Sequence, residues 1–354
     1  MAMNRKLKII SLIAWLVLAI VLLFILVSSI SSGTTLGFNI NFNGKELTNM
    51  AVQKEDSIAL DGCNNIKVNF SSEKIKLVTI DDEDFKVTEV SSKDLSDDEK
   101  FTMTKNGDTI TVQKNNFNTM HFNFFNDSGF REIQLFLPKK YVKALNIETS
   151  SGDINIASPL SLSGMDLRVS SGHINCSENI QTVDKASFKS TSGDIKLNGL
   201  SAKESSFNTS SGRIKLDGTI NSEKNQVKTT SGDININELK SDYNITASSG
   251  RIKIQSLLLG SGTIDSTSGD INVDYKGISD YSNIKCSSGS VRATIDKSIS
   301  FDFEGNCTSG RINSNFDLNY NNKKGNEATG KFGDGPYKKI SINTTSGDIS
   351  VKNS

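Results

Sequence analysis

The chain has 354 residues, with 40 Lys and Arg against 40 Asp and Glu, so its formal net charge is zero. That balance argues against a nucleic-acid binder, which carries a basic excess, and against an acidic solvating tail. Two His in the whole chain leave little for histidine-based acid–base or metal chemistry, and no cofactor or metal is expected.

The first element is apolar. From Ile9 to Ile30 there are 22 residues without a charge. At about 1.5 Å per residue they reach about 33 Å, enough to cross a hydrocarbon core of about 30 Å. Arg5, Lys6 and Lys8 precede the run, and the next charge is Lys45. The asymmetry predicts one transmembrane helix over 9–30, a cytoplasmic tail over 1–8 and an extracellular remainder, so the chain is expected to be integral to the cell membrane as a single-pass protein. The competing reading, a cleaved signal peptide, calls for an apolar region of about 7–15 residues. Residues 31–36 read as a short linker.

Residues 37–146 are β-rich, as in IKVNF at 66–70 and TITV at 109–112, but lack the signature that follows. A cap is expected here, because the first coil of a stack exposes an unpaired sheet edge. Phe117, Phe122, Phe124, Phe125 and Phe130 crowd one stretch of this region. They read as burial over the first coil rather than as a loop touching a bilayer or a partner. Asp81, Asp82, Glu83 and Asp84 read as a solvated face rather than a metal site.

From 147 to 354 the chain repeats. Ser-Gly, a turn residue, then Ile or Val recurs ten times, at Gly152, Gly172, Gly193, Gly212, Gly232, Gly250, Gly269, Gly289, Gly310 and Gly347. The steps are 18 to 21 residues until the last, which is 37. A period this regular predicts a solenoid. Two residues after each Gly stands a β-branched apolar residue, from Ile154 to Ile349. Five before it stand Ile147, Leu167, Phe188, Phe207, Val227, Ile245, Ile264, Ile284 and Ile342, while Gly305 breaks the column in the ninth repeat. Three before it the residues are mostly small. A third apolar position follows at Leu160, Ile180, Leu200, Ile220, Leu239 and Leu257. Spacings of two mean strands with one face inward, and the Gly between them is expected to turn a corner with positive φ. The expected fold is therefore all-β: a β-solenoid of about 20-residue coils with parallel strands, right-handed from the general bias of parallel crossovers.

The outward residue after each Gly reads Asp153, His173, Asp194, Arg213, Asp233, Arg251, Asp270, Ser290, Arg311, Asp348. Acid and base nearly alternate. In coils stacked about 4.8 Å apart, opposite signs one above the next attract by a few tenths of a kcal/mol per pair. Asp residues two coils apart would lie about 9.6 Å from each other, near the range of an inverting glycosidase pair. Their even spacing lacks the singular cluster that catalysis needs, so no catalytic residue is expected. Cys286 and Cys307 hold the same inward position in successive repeats, and either a bond or two buried thiols is open. Residues 315–341 read as a long polar loop or a distorted coil.

The repeat, with IQLFLPKKYVKALNIETSSGDINI at 133–156 and YKKISINTTSGDISV at 337–351, resembles the bacterial putative-adhesin family, formerly a domain of unknown function. It also resembles membrane-anchored relatives encoded in cell-envelope-stress operons of Gram-positive bacteria. The resemblance spans about residues 60–354. It implies a β-solenoid ectodomain beside a transmembrane anchor and an adhesin-like role, and it supplies no catalytic or ligand residues. The expected function is a structural or interaction protein that contacts a cell-wall polymer or a membrane protein. The alternatives are an envelope-stress accessory acting through its transmembrane helix and, less favoured, a glycan hydrolase or lyase.

Overall fold

The computed structural model describes residues 50–114 and 130–354. The expected tail, transmembrane run and linker lie outside the described residues, as do Phe117, Phe122, Phe124 and Phe125. Among the described residues no helix is long and apolar enough to cross a membrane. Every described element is a strand, and the strands join into a single 27-stranded sheet.

One coil shows how the repeat folds. Ala144–Thr149 forms one strand, the Ser-Ser-Gly-Asp corner follows, and Ile154–Ile156 and Leu160–Leu162 form two more. Gly164–Val169 then begins the next coil and pairs in parallel with Ala144–Thr149, Leu145 against Met165 and Ile147 against Leu167. The alternation of side chains puts the apolar set inside, and every residue of the three predicted apolar columns is buried. Phe188 and Phe207, neighbours in one column, stack face to face at 4.9 Å between centroids.

The corner glycines are there for a reason other than the expected one. Of the ten, only Gly269, Gly289 and Gly347 have positive φ, at 153–158°, close to extended backbone. What all ten share is crowding. A Cβ on any of them would sit well under 3.0 Å from the carbonyl oxygen of the corner residue one coil earlier. The small residue three before the Gly has its own task. The hydroxyls of Ser190, Thr209 and Thr229 accept the N–H of Gly193, Gly212 and Gly232 at 2.8–3.0 Å. That satisfies a buried donor that the sheet ladder leaves over.

The stack extends beyond the Gly-marked coils. Asn65–Phe70 pairs in parallel with Ala144–Thr149, and Lys74–Ile80 pairs with Ile154–Ile156. Glu73 stands where the repeat has Gly, one coil before Gly152. A further coil, Thr109–Lys114 with Arg131–Pro138, lies outside this one although it comes later in the chain. Antiparallel strands then cover that end: Ala51–Ala59 on Asp84–Ser91, Asp84–Ser91 on Arg131–Pro138, and Phe101–Asn106 on Thr109–Lys114.

The other end reverses order as well. Lys338–Ser346 pairs with Tyr281–Ser288 on one side and with Phe301–Ser309 on the other. The last repeat is thus inserted between the eighth and the ninth. The 37-residue step is the length of chain that travels out, lays Glu327–Phe332 antiparallel along the exposed edge of Phe301–Ser309, and returns. Gly305 breaks the Ile column because the Phe303 ring fills its space, 2.7 Å from where a Cβ would be. Phe301, Phe316 and Phe332 plug this end, with centroids 4.8–5.2 Å apart.

Insertion corrects the reading of the cysteines. Thr344 lies between Cys286 and Cys307, so the two are not in successive coils. All four Cys are free and buried. Burial pushes the thiols of Cys176, Cys286 and Cys307 up. A thiol-reactive chromophore should find no reactive Cys in the native protein and four after denaturation. Two after denaturation without reductant would mean a disulfide and contradict the stacking order.

Candidate functional site: the corner face of the stack

On the strand after each corner, the residues one and three after the Gly point outward and form two columns. The first column carries the Asp residues, and the structure shows what they do. Asp153, Asp194, Asp233, Asp270 and Asp348 each accept, through Oδ1, the backbone N–H of the next coil's equivalent residue. The donors are His173, Arg213, Arg251, Ser290 and Arg311, at 2.7–2.9 Å. These are charge-assisted bonds that tie each pair of coils together at the corner.

The expected attraction between Asp and Arg side chains is therefore replaced by a carboxylate-to-backbone bond. What survives in stacked order is an Asp at every second corner. The chain order Asp270, Ser290, Arg311, Asp348 becomes Asp270, Ser290, Asp348, Arg311. Every second corner carries an Asp, so no two carboxylates are neighbours. His173 joins the same scheme from the other side: its Nδ1 accepts the N–H of Asp194 at 3.0 Å, which places the ring proton on Nε2. Two substitutions separate the two accounts. Arg213→Ser should change stability by less than about 0.5 kcal/mol, because it keeps the N–H. Asp194→Ala should cost about 1–3 kcal/mol, because it orphans that N–H. Equal costs in urea unfolding would favour a side-chain ion pair instead.

With the carboxylates occupied, the cations of the face remain. Lys196, Arg213, Lys215, Arg251, Lys253 and Arg292 are exposed. Lys215 pairs with Asp217 at 2.9 Å, and Arg292 donates to Asn272. Arg213, Arg251 and Lys253 have no side-chain hydrogen bond or ion pair among the described residues. An open groove of about 270 Å³ runs over three successive coils of this face. His173, Asn175, Asp194, Lys196, Arg213 and Lys215 line it. No Asp of the column is set apart from the others, as a catalytic acid or base would be.

The remaining candidates fall elsewhere. Asp81 and Glu83 pair with Lys139 and Lys140. Among the described residues no group of three or more His, Cys, Asp or Glu could hold a metal ion. Phe130 is half-buried, with Lys74 over its ring. Reading the sequence missed one charged cluster. Arg131 bridges Glu73 and Glu89, both fully buried, at the capped end. The signal was present: SSEKI at 71–75 aligns with SSGDI, with Glu in the Gly place.

No curated protein matches the chain. Among solved structures, a putative adhesin from Parabacteroides merdae is 13% identical, with a TM-score of 0.44 over 88% of this chain and 97% of that one. A putative lipid binding protein from Parabacteroides distasonis is 15% identical, with a TM-score of 0.44 over 87% and 97%. With TM-scores below 0.5, neither decides the fold or the function of this chain. The family model for Toastrack DUF4097 matches residues 63–256 and 220–352. The match starts at the coil that carries Glu73 in place of Gly, well before the first Gly-marked repeat, and takes in the inserted last coil. The putative-adhesin resemblance read from the repeats is borne out, and the chain belongs to the Toastrack DUF4097 family.

Proposed function

We propose that this Toastrack protein is an adhesin-like interaction protein of the bacterial cell envelope, held in the membrane by residues 9–30 with its solenoid outside. The observation that carries the reading is the corner face. Two columns of polar and charged side chains are fixed in register by the sheet, and an Asp cap ties every second corner to the one that follows it. Such a face matches an extended, repetitive ligand better than a small molecule. The apolar run and the basic residues before it support the anchor and its orientation. The even use of every corner carboxylate supports a non-enzymatic role.

The test is retention on the wall. Full-length protein in detergent should sediment with isolated wall sacculi and be released by soluble wall fragments. Protein that stays in the supernatant at every wall concentration would overturn the reading.

A further inference from the structure

The charge on the corner face is arranged in a way that selects a ligand class. Between Arg213 and Asn272 cationic coils alternate with coils that carry none, while Lys196 adds a cation one coil before Arg213 and Arg292 one coil after Asn272. Arg213 and Lys215 share one coil, Asp233 and Asn235 the next, Arg251 and Lys253 the one after, and Asp270 and Asn272 the one after that. Arg213 and Arg251 therefore each stand beside an ammonium on the same strand, and the two pairs lie two coils apart, about 9.6 Å along the stack. The coil between two such pairs offers an Asn amide and an Asp carboxylate whose Oδ1 already accepts a backbone N–H.

We infer that this face binds a polyol-phosphate polymer, a flexible chain of hydroxyl-bearing units joined by spaced phosphodiesters. The assignment rests on the reading of the corner face as a binding surface. Arg and Lys side by side make a phosphate seat, the fork giving direction and the ammonium adding charge. Arg213, Arg251 and Lys253 have no ion pair to give up on binding. Asn235 can donate to and accept from hydroxyls between two seats. Asp233 makes that intermediate position unfavourable for an anion, so a continuous polyanion such as a nucleic acid fits worse than one whose charges skip a coil. The groove lined by Lys196, Arg213 and Lys215 gives the chain a recess at one end of the ladder.

The experiment uses full-length protein in detergent and a synthetic poly(glycerol phosphate) oligomer as the probe. The test variant is Arg213→Ser, Lys215→Asn, Arg251→Ser and Lys253→Asn together. Ser290 and Asn235 hold these places in other coils, so the changes stay within what the repeat tolerates, and an unchanged urea midpoint checks the fold. The control is Lys189→Asn with Lys228→Asn, on a different face, where Asn208 holds the same column. The variant should bind at least tenfold more weakly, and the dependence of log affinity on log salt should flatten. The control should bind like the wild type. The inference fails if wild type does not bind the oligomer, or if variant and control lose equally. It also fails if polyglutamate or a single-stranded oligonucleotide of equal charge competes as well as the oligomer. Sacculi separate the two claims. Retention of wild type and variant alike keeps the adhesin-like reading and removes this assignment. Oligomer binding through the four residues without retention on sacculi does the reverse.

Discussion

Replacing Gly212 with Ala should lower stability by about 3 kcal/mol, at the upper end of what overpacking costs. The new Cβ would collide with the carbonyl of Gly193, a backbone atom in a coil locked by parallel pairing on both sides. Neither strand can move without carrying its neighbours, so the collision has no inexpensive relief. Gly164→Ala is the contrast. Its nearest neighbour would be the Lys185 carbonyl oxygen at 3.5 Å, an ordinary contact, and the change should stay within about 0.5 kcal/mol. The difference between the two urea midpoints isolates the steric part. If both substitutions are tolerated alike, the account of the glycine column is wrong.

Replacing Arg131 with Met should cost about 3–5 kcal/mol, the range for breaking a buried ion pair from one side. Arg131 reaches Glu73 Oε1 at 3.4 Å and also pairs with Glu89, and the two carboxylates are only 1% and 0% exposed. Each carboxylate also anchors backbone. Glu73 accepts the N–H of Ser71 and Ser72, and Glu89 accepts that of Phe101. Removing the guanidinium leaves two buried acids facing each other. Changing all three, Glu73→Gly with Glu89→Met and Arg131→Met, should recover most of the loss, because no buried charge is left without a partner. Thermal and urea unfolding of the single and triple variants decide the matter. A triple variant no better than the single one would mean that the cluster acts through its shape and backbone bonds rather than its charge.

The solenoid was legible because burial constrains it. An inward position stacked on its own equivalent must be apolar, so the Ile, Leu and Phe columns declared the coil, its period and its faces. The corner Gly was legible as a corner, but the reason for it was not. Crowding by the previous coil is a property of the stack, and a single repeat does not contain it. The coil at 65–80 escaped notice because Glu73 stands where every later coil has Gly, its carboxylate held by Arg131, which is in register with it one coil further out.

The order of the last two coils was the hardest to see. Their corner sequences, TSGRI and TSGDI, fit equally well above the eighth coil, and period alone ranks them by chain order. Two residues did carry the answer. Arg311 follows Ser290 in the chain and breaks the Asp alternation, and Asp348 restores it only when placed between them. The corner face was legible as a pair of charged columns. Its working was not, because a carboxylate bonded to a backbone N–H and one paired with Arg look alike in sequence. The expected membrane anchor, with its tail and linker, lies outside the described residues, so its support remains the apolar run and its flanking charges.

The stacking order underlies the alternation of the corner column, the free cysteines and the closure of the C-terminal end, and cross-linking tests it directly. Lys285, Asn343 and Asn306 are exposed equivalents in the three coils concerned, with Asn343 in register with both others. Cys replacements at 285 with 343, and at 343 with 306, should each form a disulfide under mild oxidation. The pair 285 with 306, about 9.6 Å apart across an intervening coil, should not. A disulfide between 285 and 306, with none between 285 and 343, would contradict the inserted coil and the alternation built on it.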